Sequence, residues 1–243
     1  MMTITKDLHG IIFNIFNYKE NDLIADVFTK EYGAIQLYVK GAQKTTSKSF
    51  FIFKQFNIIT FDVSKLNLKE LSMYKSGEVK EVFDYTKLNY EQMNTTMLIS
   101  ELLVKIKHLN DYDYQNYYQE LLIIISDLKT NRKPVQFILN YFLYISLKVL
   151  GSGLVLDSCY QCSKQHNIIA YDIINNGFIC LACFEGNSKY LKDQTILNYL
   201  YKLPKYEEID DNALIYDKAI FELLIDCLKE NTGVYLIASN YIY

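Results

Sequence analysis

The stretch LHGIIFNIFNYKENDLIADVFTKEYGAIQLYV, residues 8–39, decides the fold. It holds three short runs rich in Ile, Val and Phe: Leu8 to Phe16, Leu23 to Thr29 and Ala34 to Val39. Polar residues separate the first two, and the Tyr32-Gly33 turn separates the second and third. β-branched and aromatic runs bounded by turn residues predict strands. Two more follow, Phe56 to Val63 and Leu71 to Tyr74. Five short strands within the first 77 residues suit a small closed barrel, because closure removes exposed edges. The OB-fold is the five-stranded case, and an SH3-like barrel competes on strand count alone.

Beyond Gly77 the period changes. Met97, Leu98, Leu102, Ile106 and Leu109 recur at helical spacing, as do Tyr118, Leu121, Leu122, Ile125 and Leu128. Pro134 is suited to open a helix over 135–150, which Gly151 ends. Further helical segments lie near 193–202 and 217–229. The expected class is α+β, with an N-terminal OB-fold barrel over 1–77 and a helical C-terminal domain over 78–243. That second domain carries one inserted hairpin.

The hairpin is marked by two pairs, Cys159-Tyr-Gln-Cys162 and Cys180-Leu-Ala-Cys183, seventeen residues apart. This is a zinc spacing. Residues 168–173 predict a strand, Asn176-Gly177 a hairpin turn, and Phe178 to Cys180 the returning strand, so both pairs meet at the open end. Four thiolates leave no position for a catalytic water, and a bound Zn2+ would be structural. Four unrelated core cysteines or disulfides are the alternatives. The opening residues 1–6 show no signal peptide, which predicts a reducing, cytoplasmic setting. His166, four residues past Cys162, could compete as a ligand. Cys227 falls in the helical core pattern of Ile220, Leu223, Leu224 and Leu228.

The net charge of −3 argues against a uniformly basic nucleic-acid binder, but it hides local polarity. Residues 1–77 hold ten Lys against seven acids, whereas residues 184–243 hold six Lys against ten acids. No acid lies between Glu31 and Asp62, a span containing Lys40, Lys44, Lys48 and Lys54. No apolar run is long enough to predict a membrane span. The sequence has no Walker A motif or dinucleotide fingerprint, and His9, His108 and His166 are scattered. Glu20, Asp22 and Glu31 fall at strand ends, where acids are solvated or pair with lysine.

In this order the motifs resemble the RecO family of bacterial recombination mediators. The resemblance rests on Tyr18-Lys-Glu20-Asn-Asp22, on Phe28-Thr29-Lys-Glu31-Tyr-Gly33, and on Lys40-Gly41-Ala42-Gln43-Lys44 with Ser47 downstream. The four-cysteine hairpin after Gly151 is similar to the zinc-bearing members. Gln43 stands where Arg is usual, and the barrel has no Arg. The resemblance implies an OB-fold, a helical C-terminal domain and no catalysed bond chemistry. It implies binding of single- and double-stranded DNA and annealing of complementary strands. It also implies work with RecR to load the recombinase on DNA coated by single-strand binding protein, at the nucleoid.

The residues themselves agree in part: Lys40, Lys44, Lys48 and Lys54 suit phosphate contact, with close backbone approach at Gly41, while a solvated loop is the alternative reading of the lysines. Tyr38, Phe50, Phe51 and Phe53 are candidate stacking faces, each also a candidate for the barrel core. A zinc-ribbon adaptor that binds only protein is the alternative, as is an enzyme assembled from residues of structural type.

Overall fold

The structure is a computed structural model and describes residues 4–109, 113–186, 190–207 and 214–243. It divides into two compact units, residues 1–130 and 131–243.

In the first unit, β1 (Thr5–Tyr18), β2 (Asp22–Thr29), β3 (Gly33–Val39), β4 (Ile58–Lys65) and β5 (Leu71–Glu81) close a barrel in the order β1-β2-β3-β5-β4. Strands β3 and β5 pair parallel, and the other neighbours pair antiparallel. This is the five-stranded OB arrangement. β1 closes it by pairing with two partners. Its first half aligns with β4 (Leu8↔Phe61) and its second with β2 (Phe16↔Ile24), with an irregularity between Ile12 and Asn14.

The core follows the strand period of two. Leu23, Ala25 and Val27 of β2, Ile35, Leu37 and Val39 of β3, and Ile59, Phe61 and Val63 of β4 all point inward. Each such large side chain contributes about 1.5–3 kcal/mol on burial. β5 runs through Gly77, where the sequence period changes, and continues to Glu81. A Cβ at Gly77 would meet the Thr60 carbonyl oxygen at 2.6 Å, so only glycine allows β5 to lie this close to β4.

The connection from β3 to β4 contains a short helix, α1 (Lys48–Ile52), whose N-cap Ser47 accepts from the Ser49 N–H at 3.3 Å. Helical periodicity cannot announce so short an element. Buried Asn57 ties this connection down. Its amide donates to the Ile52 carbonyl at 3.1 Å, and its Oδ1 accepts from the Phe83 N–H at 2.9 Å.

Helices α2 (Tyr90–Ile106) and α3 (Tyr114–Thr130) complete this unit. A reciprocal Asn89–Gln92 capping box starts α2. Leu98, Leu102 and Ile106 are buried, but Met97 and Leu109 are exposed. The barrel-facing side of α2 includes polar Ser100, which donates to the Phe13 carbonyl at 2.6 Å and accepts from Gln55 Nε2 at 2.7 Å. Met97 thus shares the helix found from the apolar period but lies on its exposed side.

In the second unit, α4 (Val135–Val149) starts after Pro134, and its chain turns at Gly151 with φ +76°. α4 packs against α6 (Asp217–Thr232), and α5 (Gln194–Lys202) is capped by Asp193, which accepts from the Thr195 N–H at 2.8 Å. Buried Asn140 donates to the Tyr199 hydroxyl oxygen at 2.8 Å, and Tyr199 donates to Asp217. Burial pushes the Asp217 carboxyl up to about 6 against the bonds from Tyr199 and Asn140.

The cysteine hairpin is larger than two strands. β6 (Val155–Cys159), β7 (Ile168–Asp172), β8 (Gly177–Cys180) and β9 (Tyr190–Leu191) form a sheet in the order β6-β8-β7-β9. The central β7–β8 pair is the expected hairpin. An isolated two-stranded hairpin is marginal in water, and the flanking strands supply the missing pairing.

Candidate nucleic-acid face and metal centre

The lysines singled out from the sequence follow one connection. Lys40, Lys44, Lys48 and Lys54 are all exposed between β3 and β4. Lys40 to Lys44 form a turn in which the Lys44 N–H donates to the Gly41 carbonyl at 3.3 Å. Gly41 has φ +67°, and the space its Cβ would fill is open, so the glycine serves the turn's dihedral angle. Lys48 opens α1, and Lys54 follows it with its ammonium 4.1 Å from the Phe50 ring centre.

The aromatic candidates separate. Phe51 is 66% exposed, whereas Phe53 is 3% exposed and packs edge-on against Tyr74 at 5.0 Å. Phe53 therefore belongs to the barrel core and offers no stacking face.

Tyr38 lies on the outer face of β1–β3, which the sequence reading missed apart from this residue. Cross-strand register aligns Phe16, Ile24 and Tyr38 in one row and Tyr18 with Asp22 in the next. Phe16 is 44% exposed, Tyr18 is 41% exposed, and Tyr18 meets Tyr38 edge-on at 6.0 Å. Lys19 sits 5.2 Å from the Tyr18 ring centre. The signal was present in the alternation of Asn14, Phe16 and Tyr18, but it needed the register to be read.

At the other end of this face, Asp26 is fully buried. It accepts from Asn14 at 3.0 Å, from Gln36 at 2.7 Å and from the Lys107 ammonium at 3.1 Å. Beside it a cavity of about 210 Å³ is lined by Gln36, Leu68, Lys69, Lys107 and His108.

Asp22 joins the two features. It accepts from the Tyr38 hydroxyl and from the Gly41 N–H at 2.7 Å, and its main-chain carbonyl accepts from Gln43 Nε2. The Tyr38 bond, then the Gly41 bond and nearby Lys19 and Lys40, hold its carboxyl below the usual range despite partial desolvation. Glu31 accepts from the His9 main chain and ring instead, with Nδ1 at 3.0 Å. Of the strand-end acids, Asp22 and Glu31 are thus structural partners.

In the second unit, the sulfurs of Cys159, Cys162, Cys180 and Cys183 lie within 4.8 Å of one another and could hold a metal ion. Cys162 and Cys180 sulfurs are 3.6 Å apart. β6 delivers Cys159, a turn through Ser163 at φ +60° presents Cys162, β8 ends at Cys180, and a 3-10 turn presents Cys183. Burial raises the Cys159 thiol, but N–H donors of Cys180, Cys162 and Gln161 outweigh it and bring the thiol down to about 6. Cys183 is pushed up to about 12, first by its bond with Cys162 and then by desolvation and the other sulfurs. His166 is exposed and is not part of the group. Cys227 is buried, and its thiol donates to Asn176 Oδ1 at 3.0 Å in the β7–β8 turn. Among the described residues no helix is long and apolar enough to cross a membrane.

An OB barrel followed by helices and a four-cysteine sheet is the architecture that the sequence motifs predict, and comparison with known families agrees. The family described as Recombination protein O N terminal matches residues 2–83, and Recombination protein O C terminal matches residues 89–231. The chain belongs to the RecO family. It is 26% identical over 248 residues to the DNA repair protein RecO of Mesoplasma florum, covering 97% of this chain and 89% of that one. It is 27% identical over 243 residues to that of Listeria monocytogenes serotype 4b, covering 96% and 92%. For the Clostridium perfringens protein the identity is 24% over 211 residues, covering 82% and 85%.

Proposed function

We propose that this chain binds single- and double-stranded DNA, anneals complementary strands and, with RecR, helps load the recombinase on DNA coated by single-strand binding protein. The observation that carries this reading is the barrel face itself: exposed Phe16 and Tyr18 with half-buried Tyr38, beside a turn of lysines in an acid-free segment. Lysines replace counterions along phosphate without choosing sequence, and aromatic rings stack on unpaired bases of any kind. Lys40, Gly41, Lys44, Lys48, Lys54 and Tyr38 are the contact residues of this reading, joined by Phe16 and Tyr18. The family relation supports the partners and a cytoplasmic setting at the nucleoid.

We further infer that Cys159, Cys162, Cys180 and Cys183 hold one structural Zn2+. Zinc–sulfur bonds of about 2.3 Å place tetrahedral sulfurs about 3.8 Å apart. The 3.6 Å Cys162–Cys180 separation and the N–H groups aimed at Cys159 sulfur fit such a site. The ion would cross-link two turns and leave no position for a reacting water.

A strand-annealing assay with and without single-strand binding protein tests the function. Changing Lys40, Lys44 and Lys48 together to Glu should abolish most binding and annealing. It should also lower the slope of log affinity against log salt by about three. A parent protein that fails to bind DNA at low salt would favour the protein-only adaptor. A triple variant with parental affinity and slope would move the DNA surface off the turn.

A further inference from the structure

Asp22 presents a contradiction. It is a carboxylate on the face assigned above to DNA, opposite Tyr18 in the β1–β2 register and next to the lysine turn. On charge alone it should repel phosphate and weaken binding. Its bonds point the other way. Four contacts run from the β3 end and its following turn to the start of β2. Tyr38 and Gly41 donate to the Asp22 carboxylate, and the Gln43 side chain donates to the Asp22 carbonyl. The Gln43 N–H donates to the Asn21 carbonyl at 2.9 Å. The turn carrying Lys40 and Lys44 and the ring of Tyr38 are therefore fastened to Asp22, with one further bond to its neighbour Asn21.

We propose that Asp22 is a positioning residue for nucleic-acid binding. It fixes the Lys40–Lys44 turn relative to the aromatic face, so that a negative charge within the surface strengthens binding to single-stranded DNA. The proposal rests on the DNA reading above. The physical reason is preorganisation. A turn already held in one conformation does not have to be ordered when the strand arrives, and its ammonium groups engage phosphates together. Two acceptor oxygens are needed, one for a hydroxyl and one for an N–H, and both converge from the outer side of β2. A carboxylate satisfies both, whereas an amide keeps one acceptor. Gln43 fits the same role. Its side chain is turned onto the Asp22 main chain and serves the turn.

The test is fluorescence anisotropy of a labelled oligo-dT strand across a salt series. It compares the full-length parent with Asp22→Ala, Asp22→Asn and Tyr38→Phe. Asp22→Ala should bind about tenfold more weakly, with a salt slope shallower by about one, although it removes a negative charge. Asp22→Asn should fall between parent and Asp22→Ala. Tyr38→Phe keeps the ring and removes only its bond to Asp22, and it should weaken binding by a smaller factor. Melting temperature and metal content serve as folding controls. If Asp22→Ala binds as tightly as the parent or tighter, with an unchanged or steeper slope, Asp22 is a repelling charge and the proposal is wrong. Should Asp22→Ala disturb the fold, the other two variants decide, and parental affinity and slope in both overturn it. A parent that does not bind the strand fails the DNA reading itself, whereas a binding parent with unaffected variants fails only the role of Asp22.

Discussion

The sulfur cluster near Cys159 and the turn near Gly41 both wrap donor groups around an anion, and they put it to opposite uses. At Cys159, N–H groups converge on a sulfur that lies among three others, and the arrangement is prepared for a cation in its centre. At Asp22, a hydroxyl and an N–H converge on a carboxylate, while the lysines remain outside facing solvent. The first arrangement closes on itself and can only hold its own chain together. The second keeps its charge satisfied internally and presents cations outward. On the reading proposed above, one backbone device would make a cross-link in one unit and a contact surface in the other.

The contrast is broken most strongly at the sulfurs. Cys180→Ser should abolish binding of the proposed Zn2+, which can contribute on the order of 10 kcal/mol to a local fold. Metal analysis should find the ion lost and thermal melting should find the second unit destabilised, with DNA binding by the barrel retained at low salt. Loss of DNA binding in parallel would show that the two regions are not independent in function. Next in size is Asn57→Ala. It strands the Phe83 N–H and frees the β3–β4 connection, which should cost about 3 kcal/mol in urea unfolding of the barrel while metal content stays at the parental level.

Smaller again is Tyr18→Ala on the aromatic face. Loss of one stacking ring should reduce single-strand affinity by about 1–3 kcal/mol and leave the salt slope unchanged, the reverse of a lysine substitution. Equal losses on duplex and single strand would argue against stacking. The smallest effect lies at Asp217. Its carboxyl titrates at about 6 in the fold against 3.8 ordinarily, because burial favours the neutral form. The sign follows from linkage. The group's contribution to stability is fully present below the ordinary value and is lost as pH rises from about 4 through about 6. Asp217→Asn should flatten the pH dependence of melting across that window, and an unchanged profile would place the dependence on other groups.

The two regions also differ in how far the sequence discloses them. The four cysteines come from two local turns, and ligand spacing encodes a local turn directly. Most barrel strands were legible as Ile-, Val- and Phe-rich runs bounded by turn residues, although β5 runs on to Glu81, past the Tyr74 at which its apolar run ends. The outer face was not. Phe16, Ile24 and Tyr38 come from three strands and become neighbours only through register. Phe53 was ambiguous for the related reason that an aromatic in an acid-free, lysine-bearing segment looks the same whether it points into the core or out. Strand β6, which pairs parallel with β8, is separated from it by the whole cysteine loop, and no local pattern announces that pairing.

The length of β5 governs how this protein can be divided. Past Gly77 the strand still pairs Glu78 with Thr60, Val79 with Ile59 and Glu81 with Ile58, and Phe83 then reaches Asn57. A fragment cut at residue 77 would leave Ile58 and Ile59 of β4 without these partners and open one side of the barrel. An apolar open edge of this kind recruits strands from other molecules. Such a fragment should therefore self-associate, and its clumping would mimic strand annealing by gathering DNA nonspecifically. A fragment carried to Thr130 keeps the cylinder shut and also keeps α2 and α3, with the bonds of Ser100 and Lys107 to the barrel.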